Sequence, residues 1–139
     1  MDTLSAARLF EALSSSARLD VFRLLVKHAP DGLVAGEIAR NLHIPVTNLS
    51  FHLKAIVHSG LATVEKEGRY LRYQAVIPLM LDLIAFLTAE CCASRPEQCR
   101  AWRKRSRVSP EMLPSVYRRS SEKGPLRTTR GKTQGKEKT

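Results

Sequence analysis

A chain of 139 residues suits a single domain, and its 43% of apolar side chains is enough to bury a core. Lys and Arg number 23 against 13 Asp and Glu, a net charge of +10. No apolar run approaches the ~20 residues of a membrane helix, and Met1-Asp2-Thr3-Leu4 lacks the basic and apolar regions of a signal peptide, so membrane and secreted classes are excluded and a cytoplasmic location is expected.

In chain order, Leu4 to Leu13 places Leu4, Ala7, Leu9, Phe10 and Leu13 mainly on one helical stripe. Ser14-Ser15-Ser16 interrupts it and offers a cap for a second helix, Ala17 to about His28. The wide apolar stripe of that helix (Leu19, Val21, Phe22, Leu24, Leu25, Val26) suits a central position. Pro30-Asp31-Gly32 is a turn, and a short helix from about Ala35 to Leu42 follows. His43-Ile44-Pro45-Val46 separates it from a helix over about Thr47 to His58, which Gly60 ends. Two short helices with a four-residue connector match a helix-turn-helix layout. Leu61–Lys66 and Tyr70–Val76 then read as strands around a Glu67-Gly68-Arg69 turn. A last apolar helix is expected over Leu79 to Cys92, with Pro78 near its start. The expected fold is mainly α with a small β-hairpin wing, a winged helix-turn-helix of five or so helices.

The charge is segregated. From Arg103 onward twelve basic residues face three acidic ones, whereas residues 1–102 carry +1. That basic segment is rich in Pro and Gly and poor in apolar residues after Tyr117, which cannot offset the entropy of ordering. Residues 1–105 are therefore expected to form the folded domain and 106–139 a disordered tail, either solubilising or attracted to phosphate backbone.

A helix that reads the major groove needs a buried face and short polar groups near its N-terminus. Thr47, Asn48, Ser50 and Phe51 lie near the start of such a helix, and His52 and Lys54 continue its surface. Asn can pair bidentately with adenine, Ser and Thr can bond several base edges, and an apolar group can meet a thymine methyl. Lys54 and the hairpin-tip Arg69 suit phosphate contacts, or for Arg69 the minor groove.

The runs Leu9-Phe10-Glu11-Ala12-Leu13-Ser14, Ala17-Arg18-Leu19, Glu37-Ile38-Ala39, Leu49-Ser50-Phe51-His52-Leu53-Lys54, Ser59-Gly60-Leu61 and Glu67-Gly68-Arg69-Tyr70 resemble the ArsR/SmtB family of winged-helix repressors over residues 4 to 92. The resemblance implies a homodimer built from the first and last helices. Such a dimer represses an operon from an imperfect palindrome of double-stranded operator DNA, and an inducer bound at the dimer lowers DNA affinity. Dimer packing is expected from Leu79, Met80, Leu83, Ile84 and Leu87. Pro45 stands where the family often has a Ser that opens the recognition helix.

Cys91, Cys92 and Cys99 are the only cysteines, an odd number that points to free thiols or a metal site rather than a disulfide framework. Adjacent helical residues diverge by about 100°, so Cys91 and Cys92 can share an ion only if the helix ends there. Pro96 disfavours helix at Arg95, and a loop through Pro96-Glu97-Gln98 would fold Cys99 back onto the pair. Zinc usually takes four ligands, and no suitably spaced His or Asp completes a tetrahedron. A soft trivalent ion with a lone pair, As(III) or Sb(III), takes three sulfurs. The stretch before the recognition helix, Leu33 to Glu37, has no Cys-x-Cys pair, and the Asp and His pattern of the zinc-sensing branch is missing. What remains resembles family members in which arsenite binds a Cys-Cys…Cys cluster at the end of the last helix. A thiol redox or sulfide switch, another soft metal, and a metalloid-sequestering protein stay open. Catalysis is not expected, since the chain has no Gly-rich anion loop and no His near the thiols.

Overall fold

The computed structural model describes residues 1–113. Most of the expected basic tail, from residue 114 on, lies outside them.

Among the described residues, five helices and a small sheet surround one core, and a sixth helix follows them. Helix α1 (Thr3–Leu13) opens at Asp2, whose carboxylate accepts from the Ser5 N–H at 2.8 Å and satisfies a donor that the first turn leaves free. Backbone N–H donation lowers the pKa of that carboxyl. Helix α2 (Ser16–Lys27) starts after Ser15, as the serine run predicted, although no side chain caps it. Its Val21, Phe22 and Leu25 are buried at the centre of the domain. Arg18 of α2 reaches back to the end of α1, where its guanidinium donates to the carbonyls of Ala12 (2.5 Å) and Glu11 (3.2 Å). Those carbonyls belong to a last turn that lacks helical partners of its own.

Strand β1 (Leu33–Val34) leads into α3 (Ala35–Leu42), where Glu37 accepts from the Val34 N–H at 3.0 Å. His43 turns left-handed, and Pro45 stands directly before α4 (Val46–Ser59). Leu49, Leu53 and Ile56 of α4 lie at helical spacing and are fully buried against α2, α3 and α1. Strands β2 (Ala62–Glu67) and β3 (Tyr70–Ala75) form the expected hairpin, with Ala62 opposite Ala75 and Glu67 opposite Tyr70. Strand β1 pairs antiparallel with β3 through Leu33 and Tyr73, so the sheet order is β1-β3-β2. The wing is thereby stitched to the base of the helix-turn-helix. No polar or charged side chain is buried among the described residues.

The C-terminal region departs from expectation. Helix α5 spans Ile77–Thr88, with Pro78 in its first turn, and stops four residues before Cys92. A further helix, α6 (Pro96–Arg105), begins at the proline that was expected to hold a loop. Pro suits this position because the first helical N–H has no partner inside the helix. A single 3-10 turn, Pro110–Met112, follows. Of the residues expected at a dimer interface, Leu83 is buried in the chain's own core, and Leu79 and Met80 pack against it. Ile84 is half-buried and Leu87 is 59% exposed, as is Leu81, outside the expected set, at 44%.

Candidate nucleic-acid interface and metal centre

Helix α4 is fixed from below and open above. Leu49 and Leu53 anchor its inner face at near-zero exposure, and the Pro45 carbonyl accepts the Leu49 N–H at 3.0 Å, so the helix begins without a side-chain cap. Thr47, Asn48, Ser50, Phe51 and Lys54 all lie on the exposed face. The Ser50 hydroxyl donates to the Val46 carbonyl at 3.0 Å, which leaves its oxygen to act as an acceptor. Phe51 is 72% exposed, a large apolar group held in water on an otherwise polar surface. His52 is half-buried and turns partly away from that surface. Val46, in the first turn, is also exposed and was not singled out; its place directly after Pro45 was the available signal.

Arg69 stands exposed at the tip of the hairpin beside Gly68. The hairpin is braced behind it by Arg72 on β3, whose guanidinium donates to the Glu67 carboxylate on β2 at 2.5 Å. A second nitrogen of Arg72 donates to the Gly32 carbonyl at 3.3 Å, tying the wing to the turn before β1. The hydrogen bond and charge of Arg72 hold Glu67 below the usual carboxylate range, and Glu67 raises Arg72 in return. Partial burial pushes the Tyr73 phenol up.

The three cysteines converge. After Thr88 the chain makes tight turns, with Cys91 N–H donating to the Thr88 carbonyl and Arg95 N–H to the Cys92 carbonyl. Cys92 adopts a left-handed backbone, φ 59°, which costs a non-glycine residue ~1–2 kcal/mol. This turn removes the divergence that a continuous helix would impose on neighbouring cysteines. Cys99 lies in the first turns of α6 and is 2% exposed, while Cys91 is exposed. The three Sγ atoms lie within 4.8 Å of one another, and among the described residues no His, Asp or Glu completes the group.

One expectation needs correction. The cysteines are not three free thiols, because Cys92 and Cys99 are joined as a disulfide with their Cα atoms 5.7 Å apart. The turn at Cys92 and the start of α6 at Pro96 bring this pair to bridging distance. Cys91 remains a thiol, 3.6 Å from the Cys92 sulfur and 3.7 Å from that of Cys99. Two thiolates that share one ion at ~2.3 Å lie no more than ~4.6 Å apart. Cys91 meets that limit toward both partners.

A model described as a helix-turn-helix domain matches residues 13–65. The chain is 33% identical over 63 residues to an uncharacterized HTH-type transcriptional regulator, YceK, of Bacillus subtilis, covering 45% of this chain and 62% of that protein. It is 27% identical over 90 residues to a probable mercury resistance operon repressor of Streptomyces lividans, covering 65% of this chain and 68% of that protein. Among solved structures, it superposes with TM-score 0.50 on a homodimeric winged helix-turn-helix domain of Mycobacterium bovis, described as a possible ArsR-family regulator. The identity there is 24%, over 63% of this chain and 81% of that one.

Proposed function

We propose that the chain, similar to a helix-turn-helix domain and to winged helix-turn-helix regulators, is a metalloid-responsive transcriptional repressor of the ArsR/SmtB type. In this reading it binds operator DNA as a homodimer and lets go when As(III) or Sb(III) is held by Cys91, Cys92 and Cys99. One observation carries the reading: three sulfur atoms, and no other metal-ligating group among the described residues, meet within 4.8 Å. Three soft donors without a fourth suit a trivalent ion with a lone pair better than tetrahedral zinc.

Helix α4 reads the groove through Thr47, Asn48, Ser50, Phe51, His52 and Lys54, and Arg69 adds a contact from the wing. Exposed apolar side chains on the first and fifth helices (Leu4 and Phe10; Leu81 and Leu87) supply a surface for a second copy. A dimer would hold its two α4 helices one DNA turn apart, ~34–36 Å.

Before ligand can bind, the Cys92–Cys99 bridge must accept two electrons and two protons, both supplied by two thiols that become a disulfide, or the electrons by a phosphine that becomes its oxide and the protons by water. The three thiols then displace the three hydroxides of arsenite as water. Drawing Cys91, Cys92 and Cys99 onto one ion ties the start of α6 to the end of α5. The ligand must favour the DNA-free arrangement, and by linkage DNA weakens ligand binding by the same factor.

The disulfide favours a second reading, a repressor switched by thiol oxidation, in which Cys92 and Cys99 give up two electrons and two protons to a peroxide or a disulfide. One experiment separates the two. Anisotropy of a labelled duplex from upstream of the coding sequence is followed with wild type and Cys91→Ser, in a phosphine reductant that does not chelate arsenite. Arsenite and antimonite are expected to release the wild type and spare the variant, and mercuric ion is included because the Streptomyces lividans relative is named for mercury resistance. Equal release of both proteins, or of neither, overturns the three-sulfur reading. Release of both by peroxide, added after the phosphine has been removed, supports the redox switch.

A further inference from the structure

All of the chain's net charge lies past the sulfur cluster. Residues 1–94, which hold the whole helix-turn-helix and wing, carry nine basic and nine acidic side chains and so are neutral. Residues 95–139 carry fourteen basic and four acidic ones, the entire +10. Within the described part of that segment, Arg95, Arg100, Arg103, Lys104, Arg105 and Arg107 fall in thirteen positions, opposed there by Glu97 alone. Five of the six lie on α6 or within two residues of its C-terminal end.

We propose that α6 and the residues just after it form a second nucleic-acid contact, an arm that binds the DNA phosphate backbone without regard to sequence. The proposal rests on the DNA-binding reading above. A protein neutralising phosphates must bring cations to them, and those contacts supply nearly all non-specific affinity. A neutral reading domain gains none of that attraction from its net charge.

The orientation of α6 fits this role. Its inner side holds Pro96, Cys99, Arg100 and Arg103, which are buried or half-buried, while Lys104, Arg105 and Arg107 are exposed. A helix that lies on a membrane needs a broad apolar face. The α6 sequence Pro-Glu-Gln-Cys-Arg-Ala-Trp-Arg-Lys-Arg has no Val, Leu, Ile, Met or Phe, and its one large exposed apolar group is Trp102. Cationic side chains without an apolar face suit duplex DNA over a lipid surface. The arm is also fastened: Cys99, within α6, is bonded to Cys92.

The test compares wild type, the triple variant Lys104→Gln, Arg105→Gln, Arg107→Gln, and a chain ending at Leu113. Each is titrated over a range of salt with the duplex from upstream of the coding sequence and with a shuffled duplex of equal length. The triple variant is expected to weaken binding to both duplexes by the same factor. Its slope of log affinity on log salt should fall by about 0.9 for each phosphate no longer neutralised. The ratio between the two duplexes, and the far-ultraviolet dichroism, should not change.

An unchanged slope in the triple variant overturns the arm, as does a slope that falls only in the shortened chain. Loss confined to the upstream duplex overturns it too, because that would be damage to the reading helix. Capture of wild type by phosphatidylserine vesicles with no salt-dependent DNA binding would likewise overturn it, in favour of a lipid surface. Absence of any preference for the upstream duplex in wild type would sink the repressor reading instead, while the salt slope would still report on α6.

Discussion

The Sγ of Cys91 lies 3.7 Å from the Sγ of Cys99, eight positions along the chain and on the far side of the break between α5 and α6. Neither helix alone could bring these atoms together, so the break itself builds the cluster. Its chemistry depends on whether Cys92 is bonded to Cys99 or free.

That dependence is directly countable. Intact oxidised protein should take up one alkyl group per chain, at Cys91, and Cys91→Ser none. After reduction the wild type should take up three, since the chain holds three cysteines. Mass spectrometry after iodoacetamide treatment checks this, and alkylation of Cys92 or Cys99 without reductant would contradict it.

Asn48 and Lys54 share the exposed face of α4 but should behave differently. Asn48→Ala is expected to cost ~1–3 kcal/mol of discrimination at a single base pair, with little loss on random DNA. Lys54→Gln should weaken all duplexes alike and lower the salt slope by about 0.9 if it neutralises one phosphate. Competition binding with single-base operator variants distinguishes them.

Gly32 lies where two elements touch. Its φ is +75°, and a Cβ there would sit inside contact distance of the Tyr73 carbonyl oxygen and 2.7 Å from the Gln74 Cγ. Gly32→Ala therefore meets both the left-handed penalty of ~1–2 kcal/mol and a backbone clash between the turn and β3. Gly68→Ala, with φ +61° and open space around it, meets only the first. Urea unfolding should show the larger loss at Gly32.

Glu67 and Arg72 make a pH-dependent brace. Glu67 titrates below its ordinary 4.5 because Arg72 donates to it and lies beside it. A carboxyl lowered on folding stabilises the native state above its unfolded pKa, and that stabilisation is lost as pH falls through the folded value. Arg72→Gln should lower the melting temperature slightly at neutral pH, with the difference closing well below pH 4.5. Carbon NMR of the Glu67 carboxyl should show its pKa rising toward 4.5 in the variant. Glu67 is exposed and Arg72 only half-buried, so solvent screens the pair and the effect on stability is small.

Periodicity made the reading domain legible. The α4 stripe of Leu49, Leu53 and Ile56 and the hairpin turn both come from local pattern; the stripe is found as expected, and the turn is tighter by one residue, Gly68-Arg69, because Glu67 pairs with Tyr70. Strand β1 was not legible, because two residues have no period and Leu33–Val34 is a strand only through its pairing with β3. Helix α6 was missed because Pro96 serves equally to end one element and to begin another. The three cysteines were visible as a group, but their bonding was not. Which two of three sulfurs pair depends on the left-handed turn at Cys92, and no local pattern announces that.

The Cys92–Cys99 bond closes the end of the α5–α6 connection and the first turn of α6 into a ring. A protease that nicked this ring, for instance after Glu97, would not release a fragment. Both halves of the severed polypeptide would stay attached through sulfur, and only added reductant would part the groove-reading body from its cationic end.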